Sequence, residues 1–226
     1  MKQLLLDLPV GVAFDDGAFL PAAANAHARA WIERWPDWPQ HRLALAGPAG
    51  SGKSHLGAIW ARAAGAVIIA GPDLDAPPDR AVVIDDAANA SERALLHTLN
   101  HAVENGQSVL LVARTPPARW CVQLPDLASR LATVVVASLD PPDQALLAAV
   151  LVKHAADRQL AVPPAVISYL AARIERSFDA AAVVIAALDH AAVARRRRVS
   201  LALARAVLVG LAGDRHYSVT DPSHQP

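Results

Sequence analysis

The residues of this chain with the most specific chemistry form one stretch, Gly47-Pro48-Ala49-Gly50-Ser51-Gly52-Lys53-Ser54. This stretch fits the pattern G-x-x-x-x-G-K-[ST] at every fixed position. The glycines let backbone N–H groups turn inward around phosphate groups, and the N-terminus of the following helix adds its positive dipole end. In this pattern Lys53 reaches the β- and γ-phosphates, and the Ser54 hydroxyl ligates Mg²⁺. The stretch, with the adjacent His55, therefore predicts a nucleotide site for ADP or ATP with Mg²⁺.

A second group that could do chemistry closes the apolar run at residues 81–86, which ends in Asp85 and Asp86. A carboxylate after a buried strand can hold Mg²⁺ directly or through water, which is the role expected for Asp85. Asp86 is expected to polarise an attacking water. The alternative is that both aspartates cap the turn that follows the strand.

The elements that position these residues follow from the apolar pattern. Continuous rather than alternating apolar runs are typical of strands buried on both faces of a parallel sheet. Five such runs occur, at residues 42–47, 66–71, 81–86, 108–113 and 132–137. Their spacing leaves room for helical crossovers, and residues 21–35 read as a helix before the first strand. We therefore predict an α/β domain with a five-stranded parallel sheet over residues 10–140.

The pattern changes after residue 140, where only helical periodicity remains. Helices are predicted at residues 142–158, 163–175, 178–196 and 200–212, with Ser177 or Asp179 capping the third. We therefore expect a small all-helical domain over residues 141–212, followed by a loose polar tail over residues 213–226.

Composition narrows the class of protein. Lys plus Arg and Asp plus Glu number 21 each, so the formal net charge is zero, which argues against a dedicated nucleic-acid binder. The one cysteine, Cys121, excludes an internal disulfide, fits a reducing compartment and is expected to be a small buried hydrophobe. No targeting or membrane-spanning stretch is evident, so a cytoplasmic location without membrane association is predicted.

The order of these motifs, with the extra strand between loop and acidic strand end, resembles P-loop ATPases of the AAA+ kind, whose lid is a helical bundle. The stretch at residues 124–131, LPDLASRL, narrows the resemblance to the replication initiator DnaA and its short relatives, over residues 10–212. DnaA would add a helix-turn-helix domain after the lid and a long N-terminal region. Without them, the sequence resembles the Hda family of DnaA-related regulatory inactivators, especially its alphaproteobacterial form.

That resemblance implies a role for residues 1–9. Members carry a short N-terminal peptide, Q-x-x-L-x-[LF], that binds the DNA polymerase sliding clamp. The matching positions are Gln3, Leu6 and Leu8, with Leu4, Leu5 and Asp7 between them. The glutamine would hydrogen-bond at a pocket rim while leucines fill an apolar pocket. The alternative is that these leucines form an edge strand or pack on the domain.

The resemblance also implies a role for Arg130, which occupies the position of the family's arginine finger. Such a finger is offered in trans to a neighbour's nucleotide, here ATP bound to DnaA, and stabilises the transition-state charge. The implied function is negative regulation of replication initiation. The alternative is a surface arginine paired with Asp126.

Two positions depart from the family's pattern. The strand at residues 108–113 ends in Ala113-Arg114, where DnaA has a polar residue that reads the γ-phosphate. Asp179 takes the place of a lid arginine, and a carboxylate would repel phosphate. The alternative is that Arg176, one turn earlier, substitutes for that arginine. We therefore expect weak intrinsic hydrolysis, with ADP as a structural cofactor.

The run Arg195-Arg196-Arg197-Arg198 is read as a solvated helix end, with DNA near the clamp or a protein contact as alternatives.

Other functions remain open from the sequence. One is a self-contained ATPase or a helicase loader of the DnaC kind, which Ala113 and Asp179 disfavour. Another is a DNA-binding initiator fragment, which the neutral charge disfavours. A third is an adaptor that uses the clamp peptide for another client. The oligomeric state, including a homo-oligomer, is left open.

Overall fold

The structure is a computed structural model that describes residues 22–195 and 198–217, with side chains for residues 22–194 and 198–212. The predicted clamp peptide at residues 1–9 lies outside the described residues, as do Arg196, Arg197 and residues 218–226. The chain divides into two compact units between Asp140 and Pro141.

The first unit is built on a five-stranded sheet in which every pairing is parallel. The strands are β1 Arg42–Ala46, β2 Val67–Ala70, β3 Val82–Asp85, β4 Val109–Ala113 and β5 Val135–Ser138. Their order across the sheet is β2-β3-β4-β1-β5. Every residue of β1 and β4 is buried, as continuous apolar runs require of central strands. The predicted α/β fold is confirmed.

Four helices cover the two faces of this sheet. They are α1 Ala23–Glu33, α2 Lys53–Ala64, α3 Glu92–Glu104 and α4 Pro125–Ala132. One core combines α3 and α4 with the sheet, and the other combines α1 and α2 with it. The second core contains stacked tryptophans, with the rings of Trp38 and Trp60 4.9 Å apart. Both faces are therefore sealed, and the residues free to meet a ligand are at the strand ends.

Two expectations for this unit are corrected by the structure. The fifth strand begins at Val135 rather than residue 132, because α4 continues through Ala132 and a turn follows it. Cys121 is exposed rather than buried, because it lies in an irregular segment between a 3₁₀ turn at Pro117–Arg119 and α4. Its small apolar side chain has no sheet or helix face on which to pack.

The second unit contains four helices. They are α5 Gln144–Asp157, α6 Pro164–Ala171, α7 Phe178–Arg195 and α8 Leu201–Tyr217. Serine and aspartate oxygens cap three of them: Asp143 accepts from Leu146 N at 2.7 Å, Ser177 from Ala180 N at 3.1 Å and Ser200 from Leu203 N at 3.3 Å. Leucines, valines and alanines from all four helices form one apolar core.

The last helix runs further than the sequence suggested. We expected an end near residue 212, but α8 continues to Tyr217, because Gly213 weakens a helix without ending it. Within the part of the chain that the structure describes, no helix is long and apolar enough to cross a bilayer.

Candidate functional site

The phosphate-loop motif lies between β1 and α2, in the order that its chemistry needs. The loop leaves the sheet after Ala46, and Lys53 is the first residue of α2. Gly52 caps this helix with a φ of 89°, a left-handed conformation that favours glycine. A Cβ at Gly47 would overlap the backbone carbonyl oxygen of Leu139. At both positions, the loop path therefore depends on glycine.

Lys53 is held against the loop itself. Its side chain is buried, and Nζ donates hydrogen bonds to the carbonyl oxygen of Pro48 at 2.6 Å and to Ser51 Oγ at 3.4 Å. A buried ammonium group needs such acceptors to offset its lost hydration. The lysine charge is thus fixed against the loop, which suits an incoming phosphate.

The loop borders an open cleft of about 660 Å³. Lys53 and Ser54 line it from the loop side, and Asp85 and Asp86 line it from the end of β3. These groups meet because β1, β4 and β3 are parallel neighbours, so their carboxyl ends share one edge of the sheet. Gly47, Pro48, Ser51, Gly52 and His55 are not in the cleft lining; His55 is exposed on α2.

The acidic strand end has a defined local geometry. Asp85 Oδ1 accepts a hydrogen bond from the Asp86 N–H at 3.0 Å. Asp86 has a φ of 56°, and its Oδ2 accepts from Asn89 Nδ2 at 2.8 Å. Asp86 does not cap the 3₁₀ turn that follows it, Ala87–Asn89, through its side chain. The carboxylate of Asp86 is therefore oriented by Asn89 rather than by the backbone.

Three cleft features were missed by the sequence reading. Asn89 had no motif to single it out, although it lies three residues after Asp86. A Cβ at Gly71 would overlap the Asp86 carbonyl oxygen, a close approach that only the folded chain reveals. Arg114 and Thr115 line the cleft beside Ala113, so polar groups are present at the end of β4. At this strand end the sequence marked Ala113-Arg114 as a departure from the family and did not predict that Arg114 and Thr115 line the cleft.

The donors around the cleft fit a magnesium nucleotide. The Ser54 hydroxyl and the Asp85 carboxylate are hard oxygen ligands of the kind Mg²⁺ takes. Lys53 and the N-terminus of α2 supply positive charge for phosphate groups. A nucleotide would supply the reactive phosphoanhydride, and Asp86 is placed on the same cleft to accept a hydrogen bond from water.

Arg130 lies outside this cleft. It is in the last turn of α4, half-buried, and it forms no ion pair with Asp126 among the described residues. The segment before α4 is fastened by Glu92, whose Oε1 and Oε2 accept hydrogen bonds from the N–H groups of Gln123 and Leu124 at 2.8 Å each. The helix that carries Arg130 is thus anchored at its start, and the paired-surface alternative is not observed.

The charged lid residues Arg176, Asp179 and Arg198 are exposed, whereas the capping residue Ser177 is buried. Asp179 lies in the first turn of α7, and Arg176 precedes that helix. Arg195 ends α7, and Arg198 is exposed before α8. This part of the arginine run is consistent with a solvated helix end.

Comparison with known proteins agrees with this architecture. Residues 143–208 match the family model described as the lid domain of Hda. Domain III of the Thermotoga maritima replication initiation protein DnaA superposes with a TM-score of 0.74 at 17% identity, over 87% of this chain and 96% of that chain.

Other solved structures share the fold. DnaA bound to AMPPCP and single-stranded DNA matches at a TM-score of 0.62 and 14% identity, over 77% of this chain and 65% of that chain. The Thermotoga maritima RuvB branch migration motor matches at 0.61 and 19%, over 75% of this chain and 61% of that chain. At such identities these likenesses concern the fold, an AAA+ sheet domain followed by a helical lid. Residues 143–208 thus match the Hda lid family, and the chain shares the fold of DnaA domain III.

Proposed function

We propose that this protein is a negative regulator of DNA replication initiation that stimulates hydrolysis of ATP bound to DnaA. The observation that carries the proposal is the Hda-family lid at residues 143–208, joined to a sheet domain with the fold of DnaA domain III. AAA+ domains of one fold can pack on each other through matching surfaces, so a short relative is suited to dock on DnaA.

The chain also binds ADP or ATP with Mg²⁺ in its own cleft. Lys53 neutralises phosphate charge, and the loop N–H groups hold the phosphate oxygens. Ser54 and Asp85 hold Mg²⁺. The bound nucleotide is expected to act mainly as a structural cofactor that fixes the loop.

Arg130 supplies the catalytic charge in trans. Its guanidinium has no ion-pair partner among the residues described, so it is available to a phosphate presented by DnaA. Charge develops on the γ-phosphoryl oxygens as the bond to the leaving oxygen breaks, and a guanidinium stabilises it. The bond that breaks belongs to the nucleotide on DnaA.

Clamp binding through residues 3–8 brings the protein to replicating DNA. Gln3 contributes a side-chain amide, and Leu6 and Leu8 contribute apolar anchors. These residues lie outside those that the structure describes, so the resemblance of their sequence to the clamp-binding peptide supports this part.

The test is single-turnover hydrolysis of ATP pre-bound to DnaA, with this protein and with clamp loaded on DNA. Arg130→Ala is expected to lower the stimulated rate by roughly 10³-fold or more. Gln3→Ala is expected to weaken stimulation only under conditions in which stimulation depends on the clamp. Arg93→Ala, an exposed arginine on α3, and Lys2→Ala, within the peptide but outside its Gln3–Leu8 motif, are the matched controls.

The outcomes separate the alternatives. Stimulation that needs clamp, Gln3 and Arg130 supports the regulator. Clamp binding without stimulation contradicts the DnaA step and favours an adaptor for another client. Binding to a replicative helicase favours a loader, and salt-sensitive binding to duplex DNA favours an initiator fragment.

A second function, ATP hydrolysis in the chain's own cleft, is favoured by one observation. Arg114 and Thr115 line that cleft beside Asp86, so polar groups are available to a γ-phosphate. Steady-state hydrolysis without DnaA measures this activity. Loss of hydrolysis in Asp86→Asn with retained nucleotide binding would support it, and a rate unchanged by that substitution would exclude it.

A further inference from the structure

Arg42, the first residue of β1, is a buried cation without a partner. Only 2% of it is exposed, and neither Nε nor Nη1 has a hydrogen-bond partner among the described residues. Arginine is almost never fully buried unless it is paired, because its lost hydration must be replaced. Such a group at the start of a central strand calls for an explanation.

The start of β1 is joined to the end of α4. Side chains alternate along a strand, so Arg42 shares a face with Ala44, whose core neighbours come from α3 and α4. Next along the sheet, Leu43 is opposite Val135 of β5. Thr133, in the turn between α4 and β5, donates its hydroxyl hydrogen to the Arg130 carbonyl at 2.8 Å, and its oxygen lies 3.4 Å from Gln40 Oε1.

The charged group that acts on Arg42 is another arginine, Arg130. Burial and then the positive charge of Arg130 lower the pKa of the Arg42 guanidinium. A guanidinium keeps its proton in proteins, so the two positive charges coexist. Within residues 22–195 and 198–217, neither arginine forms an ion pair. Positive charge is thus concentrated at this edge of the sheet.

The backbone at this edge is also strained. Gln40 and His41, which precede Arg42, have φ angles of 53° and 58°. Two successive non-glycine residues in the left-handed region are uncommon, and such strain tends to persist at functional sites. A buried unpaired charge and a strained approach therefore occur together, where a stability-optimised strand would have an apolar residue.

We propose that Arg42 and Arg130 form a two-arginine anion site that takes a phosphate group. Arg130, half-buried on α4, is the outer contact. Arg42 is a positioning residue: its fixed charge behind Arg130 repels that guanidinium outward and adds to the attraction of an anion. Its field is weakly screened because the group is buried.

A phosphate group fits this pair better than a carboxylate. It carries close to two negative charges and has three acceptor oxygens, whereas a carboxylate would offset only one of the two arginines. The source of the phosphate rests on the proposed function, in which it is the terminal phosphate of a nucleotide on DnaA. The site itself does not depend on that identity.

The test measures the unfolding temperature of the full chain against inorganic phosphate, with sodium chloride at equal ionic strength as reference. The Lys53→Ala background removes phosphate binding at the loop. In it, a saturable rise in unfolding temperature is expected, which Arg42→Met and Arg130→Met abolish. Arg42→Lys, which keeps the charge, and Arg93→Met, the matched exposed control, are expected to keep the rise.

Phosphate also stabilises proteins generally by exclusion from their surface, and that effect is the same in every variant. A response that is unsaturable and equal across all variants overturns the site. Arg42→Met is expected to fold at least as well as the parent, so its lost response cannot be ascribed to unfolding.

The DnaA assay separates this inference from the proposed function. Arg42→Met is expected to lower the stimulated rate by about tenfold, with clamp binding unchanged. Stimulation that needs Arg130 but is insensitive to Arg42→Met contradicts the inference and leaves the function. A saturable phosphate response that depends on both arginines, without stimulation of DnaA, supports the site and contradicts the function.

Discussion

One buried cation begins strand β1 and another follows the loop after that strand, and their surroundings differ. After the carboxyl end of β1, Lys53 is buried and donates to the Pro48 carbonyl and Ser51 Oγ. At its amino end, Arg42 is buried with Nε and Nη1 unpaired and a second arginine nearby. The fold satisfies the first charge before any ligand binds, whereas it leaves the second charge uncompensated.

The difference indicates two ways of preparing for a phosphate. At the loop, the lysine and backbone N–H groups are organised within one short segment, so the site is complete in a single chain. At the other end, the charge lacks a counterion, and an anion from another molecule would relieve it. We therefore expect substitution of Lys53 to weaken nucleotide binding, and substitution of Arg42 by an apolar residue to stabilise the fold.

The largest effect is expected from Lys53→Ala. Loss of charged hydrogen bonds to phosphate oxygens should weaken ADP and ATP binding by roughly 100-fold, about 3 kcal/mol. Isothermal titration calorimetry checks this value. Lys153→Ala, on α5 and ion-paired with Asp157, is the control that should bind normally. Unchanged affinity in Lys53→Ala would mean that this lysine does not contribute to nucleotide binding.

The next effect is a gain in stability. Arg42→Met should raise the free energy of unfolding by about 2 kcal/mol, because an apolar chain of similar length replaces a buried unpaired charge. Urea denaturation in buffer without phosphate measures it, and Arg93→Met serves as reference. A loss of stability instead would mean that Arg42 is satisfied within the fold, and the contrast between the two ends would disappear.

A smaller effect is expected from Glu92→Gln, which tests how the Arg130 helix is anchored. The amide keeps one acceptor for the N–H groups of Gln123 and Leu124 but loses the charge, at a cost of about 1 kcal/mol. Amide hydrogen exchange at Leu124 should accelerate. Glu104→Gln, at the exposed end of α3, should leave that exchange unchanged. If Leu124 exchange stays equally slow in Glu92→Gln, the segment is held by other contacts.

The smallest effect concerns His154, a half-buried histidine that avoids the cost of a buried charge by losing its proton. Burial, and then the charges of Arg158 and Lys153 against that of Asp157, lower the pKa of His154 from 6.5. Below that value the unfolded chain binds more protons than the folded one, so the stability of the helical unit should fall as pH drops. His154→Gln should flatten this dependence in thermal unfolding between about pH 5 and pH 8. An equally steep dependence in the variant would assign it to other groups.

Much of the fold could be predicted from local patterns. The continuous apolar runs identified all five strands, because central parallel strands bury both faces whatever their neighbours are. Boundaries were less certain: residues 132–134 continue a helix and its turn, and Cys121 is exposed in an irregular segment. Neither fact follows from hydropathy, because both depend on where the segment between β4 and β5 packs.

The site divides in the same way. Lys53 and Ser54 are fixed by a contiguous motif, and Asp85 and Asp86 by the end of an apolar run. Asn89 and Arg114 line the same cleft, and Gly71 lies against the Asp86 carbonyl, but none of the three belongs to a motif that marks it in the sequence.

Local sequence patterns were enough to predict the strands, the phosphate loop and the helical character of residues after 140. Each of these depends on the spacing of residues within a short segment. The hydrogen bond from Asn89 to Asp86 is local, three residues apart, but no sequence pattern marks it. The anchoring of α4 by Glu92, and the burial of Arg42 near Arg130 with no counterion among the described residues, emerged only from the folded chain. Both depend on segments that are far apart in sequence and meet only when the sheet and its helices pack.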